Sequence, residues 1–351
     1  MALRQGTSPV TEAPGVDLPL APAERRRASA PPDRAPKGRP AWRLRFRRDR
    51  PLLLMVLPAL LLLILFNYLP MFGLVTAFQY YNVYQGFLHS PWVGLQNFNQ
   101  LFTDPAFWKS LWLTLELFAV QTVLFFPVPM ALAIMLDRLL RKWLRNLVQA
   151  VAAIPHFFNW VLVITLFEQM LGGAGVLDTF LRNHGVNNPF DFMTDSSTFP
   201  LLVSAQAIWK EAGFSAIIFV AAIAGLNPEL YEASAADGAG RWRQIWHVTL
   251  PGIIPLAVLL MILNLGSALS FGFQQMFLQL GAVGTGAAQV LSVYAYQYGI
   301  VQGQYSYGTA AGMFISVVSV VLLIGANWLA HRFGQAGFYQ SDRSRRKMLA
   351  R

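Results

Sequence analysis

Hydrophobic residues in this chain come in long blocks, and the ionisable residues are confined to the gaps. Residues 51–103 contain no Asp, Glu, Lys or Arg, and neither do residues 244–331. A helix needs roughly 20 mostly apolar residues to cross a bilayer. The first block opens on "PLLLMVLPALLLLILFNYLPMFGLV", a strong span. It then acquires Gln79, Asn82, Gln85, Gln96 and Asn97, which read as an external loop with amphipathic pieces. The second block is long enough for two spans, parted by the Gly- and Gln-rich runs 278–289 and 297–305. Residues 171–198, rich in Gly, Asn and Asp, read as an aqueous connection. The pattern predicts spans at about 51–75, 107–136, 147–170, 199–226, 252–277 and 306–331. The expected fold class is all-α, a polytopic membrane protein with six transmembrane helices over residues 51–335.

Composition agrees with lipid as the solvent. Hydrophobic residues make up 55% of the chain and charged ones 13%, against about 25% charged in ordinary soluble proteins. Residues 1–50 hold eight prolines and twelve Lys/Arg. They read as a disordered basic tail, too long in its basic stretch for a secretory signal and without a small-residue cleavage site. Residues 336–351 read as a second basic tail.

The distribution of the positive charge sets the topology. Of 27 Lys and Arg, 24 fall in residues 1–50, 138–145, 241–243 and 332–351, and the others are Lys109, Arg182 and Lys210. With six spans these four segments share one side, and the Lys/Arg-rich side is cytoplasmic. Both termini are therefore expected inside, and so is the segment 227–251. Charge spread along membrane margins is explained by topology, and argues against a nucleic-acid partner, which would want a basic folded face.

Catalytic constellations are missing from the sequence. There is no cysteine, the five histidines are scattered at 89, 156, 184, 247 and 331, and "GFSAI" (213–217) lacks the last glycine of a nucleophile elbow. No H-E-x-x-H occurs, and no metal site is expected. Neither is there a G-x-x-x-x-G-K-[ST] phosphate loop. The chain is expected not to be an enzyme and to bind no cofactor. If its work needs ATP, a partner must hydrolyse it.

The segment "NPELYEASAADGAGRWRQIWHVTLP" (227–251) is the polar interruption before the fifth span. Asn227-Pro228 opens a helix, Glu229 and Glu232 suit its positive N-terminal end, and Asp237-Gly238 closes it. Trp242, Ile245, Trp246 and Thr249 then recur at helical spacing, and Pro251 and Pro255 mark entry into the span. The physics alone allows an interfacial anchor or a docking element.

Glu232-Ala233-Ser234, then Asp237-Gly238-Ala239, Val248 and Leu250-Pro251, resembles the EAA loop of membrane subunits of binding-protein-dependent ABC importers. Ser234 stands for the family's second Ala and Val248 for its Ile. Further stretches, "LFNYLPMFGLVTAFQYYN", "WVGLQNF", "AAIPHFFNWVLV" and "WKEAGFSAIIFVAAIAGLNPELYEAS", are similar to the oligosaccharide and polysaccharide branch, which includes alginate- and uronate-type permeases. The resemblance covers about residues 50–340. It implies a coupling helix seated in a cleft of a cytoplasmic ATPase, with Glu232 in polar contact, Ala233 allowing close approach and Gly238 forming the turn. It further implies a second homologous permease, two ATPase subunits carrying ATP and Mg, and an external solute-binding protein. The location it implies is the bacterial inner membrane, and the mechanism is alternating access at a midplane site. Importers of non-sugar solutes share the loop. An ion-coupled secondary transporter is the rival class, and it needs no ATPase dock.

Polar residues within spans are the candidates for a substrate path. Lys210 and Glu211 interrupt the fourth span. As neighbours on a helix they do not face each other, so polar contacts to other helices and contact with a translocation path are both open. Asn264, Ser267, Ser270, Gln274 and Gln275 run down the fifth span, most of them expected on a broad polar face, with Phe271 among them in sequence. Helix packing and sugar lining both remain open for them. His156 and Asn159 are expected one turn apart in the third span as polar glue, and Glu116 and Glu168 at the outer margin. "GTAAG" (308–312) opens the sixth span with small residues that favour close helix contact, within the chain or with a partner.

Overall fold

The computed structural model describes residues 50–185 and 192–332, so the two expected tails lie outside the described residues. Helices dominate, with no strand among the described residues. Six helical segments among the described residues are long and apolar enough to cross a membrane: Leu54–Phe78, Pro105–Asp137, Trp160–Asn183, Phe199–Ala224, Arg241–Leu265 and Tyr305–Ala330. The chain is a multi-pass membrane protein.

The chain divides into two compact units, up to Leu65 and from Phe66 on. In the first, helix α1 (Arg50–Leu63) is apolar all round and carries Pro58 inside it. From Leu54 on, all of its side chains are exposed, as suits a helix whose solvent is lipid.

In the second unit, α2 (Gln96–Thr103) precedes the second span. That span is two helices end to end, α3 (Pro105–Phe125) and α4 (Pro127–Asp137). Pro127 and Pro129 lack the N–H groups that would continue the ladder, so the helix reforms at Phe126.

The expected third span is broken. Helix α5 (Lys142–Ala153) gives way to a 3₁₀ turn at Ile154–Phe157, and α6 (Trp160–Leu171) starts afresh. Pro155 cannot extend α5. Asn159 accepts a hydrogen bond from Leu162 N at 2.9 Å and caps α6. His156 and Asn159 are therefore not neighbours on one helix; each sits on its own side of the break. Beyond α6 the chain turns at 172–175 into α7 (Val176–Asn183).

Helix α8 (Phe199–Ala224) is the centre of the unit and its most buried span. Leu202 and Val203 pack with Leu117, Ile164 and Met276 at one end, and Ala216, Phe219 and Ile223 pack with Ala133, Leu136 and Ile253 at the other. A third cluster joins Leu101, Phe107, Leu269, Tyr294, Tyr307 and Ala311.

Helices α9 (Pro228–Ala236) and α10 (Arg241–Gln244) follow, and α10 runs through a π turn at Ile245–Thr249 into α11 (Leu250–Leu265). The ring of Pro251 crowds the carbonyl one turn earlier, and the wider π turn lies immediately before it. The expected fifth span to residue 277 stops at Leu265. The chain turns over residues 266–272 and restarts as α12 (Phe273–Val283). The polar face predicted for a continuous helix is thus split between two helices. Helix α13 (Leu291–Tyr296) and a π turn at Gln297–Val301 make the connection to α14 (Tyr305–Arg332) helical rather than a loop. Gly308 of α14 meets Gly299 so closely that an added Cβ would lie 2.3 Å from the Gly299 Cα, whereas Gly312 faces open space. The close contact of the "GTAAG" run is therefore within this chain at Gly308.

Candidate functional site

Helix α9 carries Glu232, Ala233 and Ser234 of the candidate coupling residues, with Asp237, Gly238 and Ala239 just beyond its end and Leu250-Pro251 opening α11, and it buries none of its side chains. Asn227 Oδ1 accepts from Glu229 N at 3.0 Å and caps its start. At its end Gly238 N donates to Ala235 O (3.0 Å) and Ala239 N to Ser234 O (2.9 Å). These are the two bonds of a Schellman cap, with Asp237 at the last position and Gly238 in the left-handed region at φ 77°. Glu232 and Ala233 are exposed, and Asp237 with them, while Ser234 Oγ folds back to Tyr231 O at 2.8 Å.

Two hydrogen bonds tie this exposed helix to the fifth span. The hydroxyls of Tyr231 and Thr249 lie 3.0 Å apart, and Gln244 Nε2 donates to Tyr231 O at 3.4 Å. Thr249 is buried and precedes Leu250-Pro251, from which α11 continues without interruption. Sequence reasoning missed Tyr231, whose hydroxyl has no local partner to betray it.

The residues expected along a substrate path separate into several places. Asn264 and Ser267 line a cavity of about 330 Å³ with Ser215, Phe125, Phe126 and Phe219. The helix break at Phe126 forms part of its wall. Ser270 and Gln274 are exposed and line no part of it. Phe271 packs edge-on against Phe118 at 5.8 Å. Gln275 is buried elsewhere: its Nε2 donates to Val203 O and Gln206 Oε1, both at 2.9 Å. Gln279 Nε2 donates to the same Gln206 oxygen at 3.2 Å. This amide network, in which α8 meets α12, includes two residues that the linear pattern does not single out.

Lys210 and Glu211 pair at 2.9 Å, although adjacent residues on a helix need not. A flexible lysine stem can swing along the helix surface, and a third residue fixes it there. Lys210 Nζ donates to His156 O at 2.7 Å, and His156 Nδ1 lies 2.6 Å from Glu211 Oε2. The imidazole also stacks on Phe214, 4.0 Å between ring centres and nearly parallel. These groups close the break between α5 and α6 against α8. Glu116 and Glu168 are both exposed.

A further cluster lies between the start of α3 and the start of α14. Asp104 Oδ1 accepts from Ala106 N (2.8 Å) and caps α3. Its Oδ2 accepts from Tyr294 (2.5 Å) and Tyr307 (3.1 Å), whose oxygens lie 2.5 Å apart. Burial first, and then the bond to Asp104, push the pKa of the Tyr294 phenol well up from its ordinary value, so it remains a donor. Among the described residues no group of His, Asp and Glu has the geometry to hold a metal ion.

Comparisons with known proteins give this architecture a family. Residues 124–335 match the family described as binding-protein-dependent transport system inner membrane component. The polygalacturonan/rhamnogalacturonan transport system permease protein YteP of Bacillus subtilis is 43% identical over 289 residues, 82% of this chain and 90% of YteP. Protein LplB of the same organism is 37% identical over 300 residues, covering 85% and 94%. A chain of the bacterial alginate ABC transporter, solved in complex with alginate pentasaccharide-bound periplasmic protein, superposes with a TM-score of 0.76 at 34% identity, covering 84% of this chain and 98% of that one. This chain belongs to the family of inner membrane components of binding-protein-dependent transport systems.

Proposed function

We propose that the chain is the permease subunit of an ATP-driven importer that moves an oligosaccharide or polysaccharide fragment across the bacterial inner membrane. The relatives named for polygalacturonan, rhamnogalacturonan and alginate support a saccharide, and an acidic one in particular. A solute-binding protein delivers it from outside. A second homologous permease completes the pathway, and two partner ATPases hold ATP and Mg. Both termini of this chain lie in the cytoplasm, on the side rich in Lys and Arg.

One observation carries the mechanism: α9 buries none of its side chains, is capped at both ends and is hooked to the fifth span through Tyr231 and Thr249. A rigid exposed helix fixed to a span transmits displacement; a floppy loop would not. Glu232 and Ala233 face the ATPase, and closure of the ATPase pair moves α9 and, through Thr249 and Leu250-Pro251, the inner half of α11. The spans then rock about a midplane site, to which the Asn264–Ser267–Ser215 cavity contributes.

The test is co-expression with the partner permease, ATPase and binding protein, followed by uptake of a labelled oligouronide. Gly238→Pro cannot adopt φ 77°, and Glu232→Lys reverses the exposed charge. Both variants are expected to insert normally yet lose ATPase assembly or hydrolyse ATP without uptake. Unchanged uptake in both would remove the coupling role, and a wild-type complex indifferent to saccharides would remove the substrate class.

A further inference from the structure

A large apolar groove runs between α4 and the α10–α11 segment. It encloses about 910 Å³ and is walled by Met130, Ile134, Trp242, Trp246 and Met261, with Arg138 at one end. Almost everything else in the wall is carbon, and Arg138 is the one charged residue lining it among the described residues; the Nε and Nη2 atoms of its guanidinium are buried against the protein without a hydrogen-bond partner. Buried guanidinium donors left unpaired cost several kcal/mol unless an anion meets them. A greasy slot with a single guanidinium side chain in its wall is the chemical image of one molecule with an acyl chain and an anionic head.

The setting points the same way. Arg138 lies at the end of the second span, next to Arg141, Lys142 and Arg145, on the Lys/Arg-rich side. Trp242 and Trp246 are strongly exposed on the opposite wall, and tryptophan favours the level of the lipid headgroups. Basic pockets between transmembrane helices on the cytoplasmic side suit anionic headgroups. A guanidinium offers a phosphate two parallel donors.

We propose that this groove is a binding site for one anionic phospholipid of the inner leaflet, its phosphate on Arg138 and an acyl chain between Met130, Ile134 and Met261. The site joins the end of the second span to the root of the segment that carries α9, so an occupied groove wedges those two elements at a fixed separation. This inference concerns the chain's lipid and is independent of what it transports.

The test uses the full assembled complex, purified in detergent and supplied with phosphatidylglycerol or phosphatidylcholine. Native mass spectrometry is expected to retain phosphatidylglycerol on this subunit in preference to phosphatidylcholine. Arg138→Gln should lower that retention about tenfold, the loss of one charged hydrogen-bonded contact. Arg138→Lys, which keeps the charge, should lower it less. Ala131→Trp, placed on an exposed wall position, should abolish retention of both lipids while the complex still assembles. Equal retention of the two lipids, or retention unaffected by Arg138→Gln in an intact complex, overturns the proposal. A photo-crosslinker at Met135 should add the mass of a lipid; a crosslink to a protein chain instead assigns the groove to a partner and overturns it too.

Discussion

Gly213 of α8 lies directly against the carbonyl of Ala152: a Cβ built on Gly213 would sit 1.8 Å from that oxygen. No ordinary Cβ contact is that short, and backbone cannot swing aside as a side-chain tip can. The contact brings the end of α5 onto the centre of α8, at the level where the third span breaks. Gly213→Ala is therefore expected to push α5 off α8 and to destabilise the subunit by about 1–3 kcal/mol, as overpacking does. Gly312→Ala, on a helix face with nothing within 4 Å, is the matched control and should leave the melting temperature of the purified complex unchanged. Equal melting temperatures for the two variants would contradict the contact.

The number and order of the spans were legible because burial in lipid requires long uncharged runs, and residues 51–103 and 244–331 display them. The capped helix at 228–236 was legible for another reason. Asn227-Pro228 and Asp237-Gly238 are local cap signals, and each acts within a few residues of itself. Hydropathy does not register where a span breaks. Pro155 followed by Asn159 before an apolar run is a stop and a start signal, but it sits in sequence apolar enough to read as one continuous helix. The polar partnerships were hidden more deeply. Gln206 meets Gln275 across 69 positions, and Tyr294 meets Asp104 across 190. Only the fold places such residues together, and so the face predicted for Asn264 through Gln275 dissolved when the chain turned at 266–272.

The Lys210–Glu211–His156 group makes a prediction about pairs. Lys210 is almost fully buried and Glu211 one-third exposed, at 8% and 33% of their side-chain surface. Glu211→Gln leaves the buried ammonium with the His156 carbonyl but no counter-charge. The expected cost is about 1–3 kcal/mol, reduced from the fully buried case because Glu211 is partly solvated. Lys210→Met combined with Glu211→Gln removes both charges, and should be less harmful than Glu211→Gln alone. Thermal unfolding of Glu211→Gln, Lys210→Met and the double variant in detergent forms the measurement; a double variant at the sum of its singles would mean that the charges act independently.

Asp104, Tyr294 and Tyr307 predict a dependence on alkaline pH. Tyr294 holds its proton more tightly in the folded chain than in the unfolded one, because burial and Asp104 both oppose a phenolate. A group whose pKa is raised on folding contributes stability that is whole below its unfolded value, about 10 for tyrosine, and that fades as the pH climbs above it. Near neutral pH, Tyr294→Phe leaves Asp104 Oδ2 with the Tyr307 donor alone and is expected to cost about 1–3 kcal/mol. Above about pH 10 the gap between wild type and Tyr294→Phe should narrow, since only the wild type loses this contribution. Tyr307→Phe keeps the shorter bond from Tyr294 to Asp104 and should cost less at every pH. The measurement is the unfolding temperature of the three proteins from neutral to about pH 11, set by the tyrosine range. A gap that stays constant across that interval would show that Tyr294 titrates alike in the folded and unfolded chains.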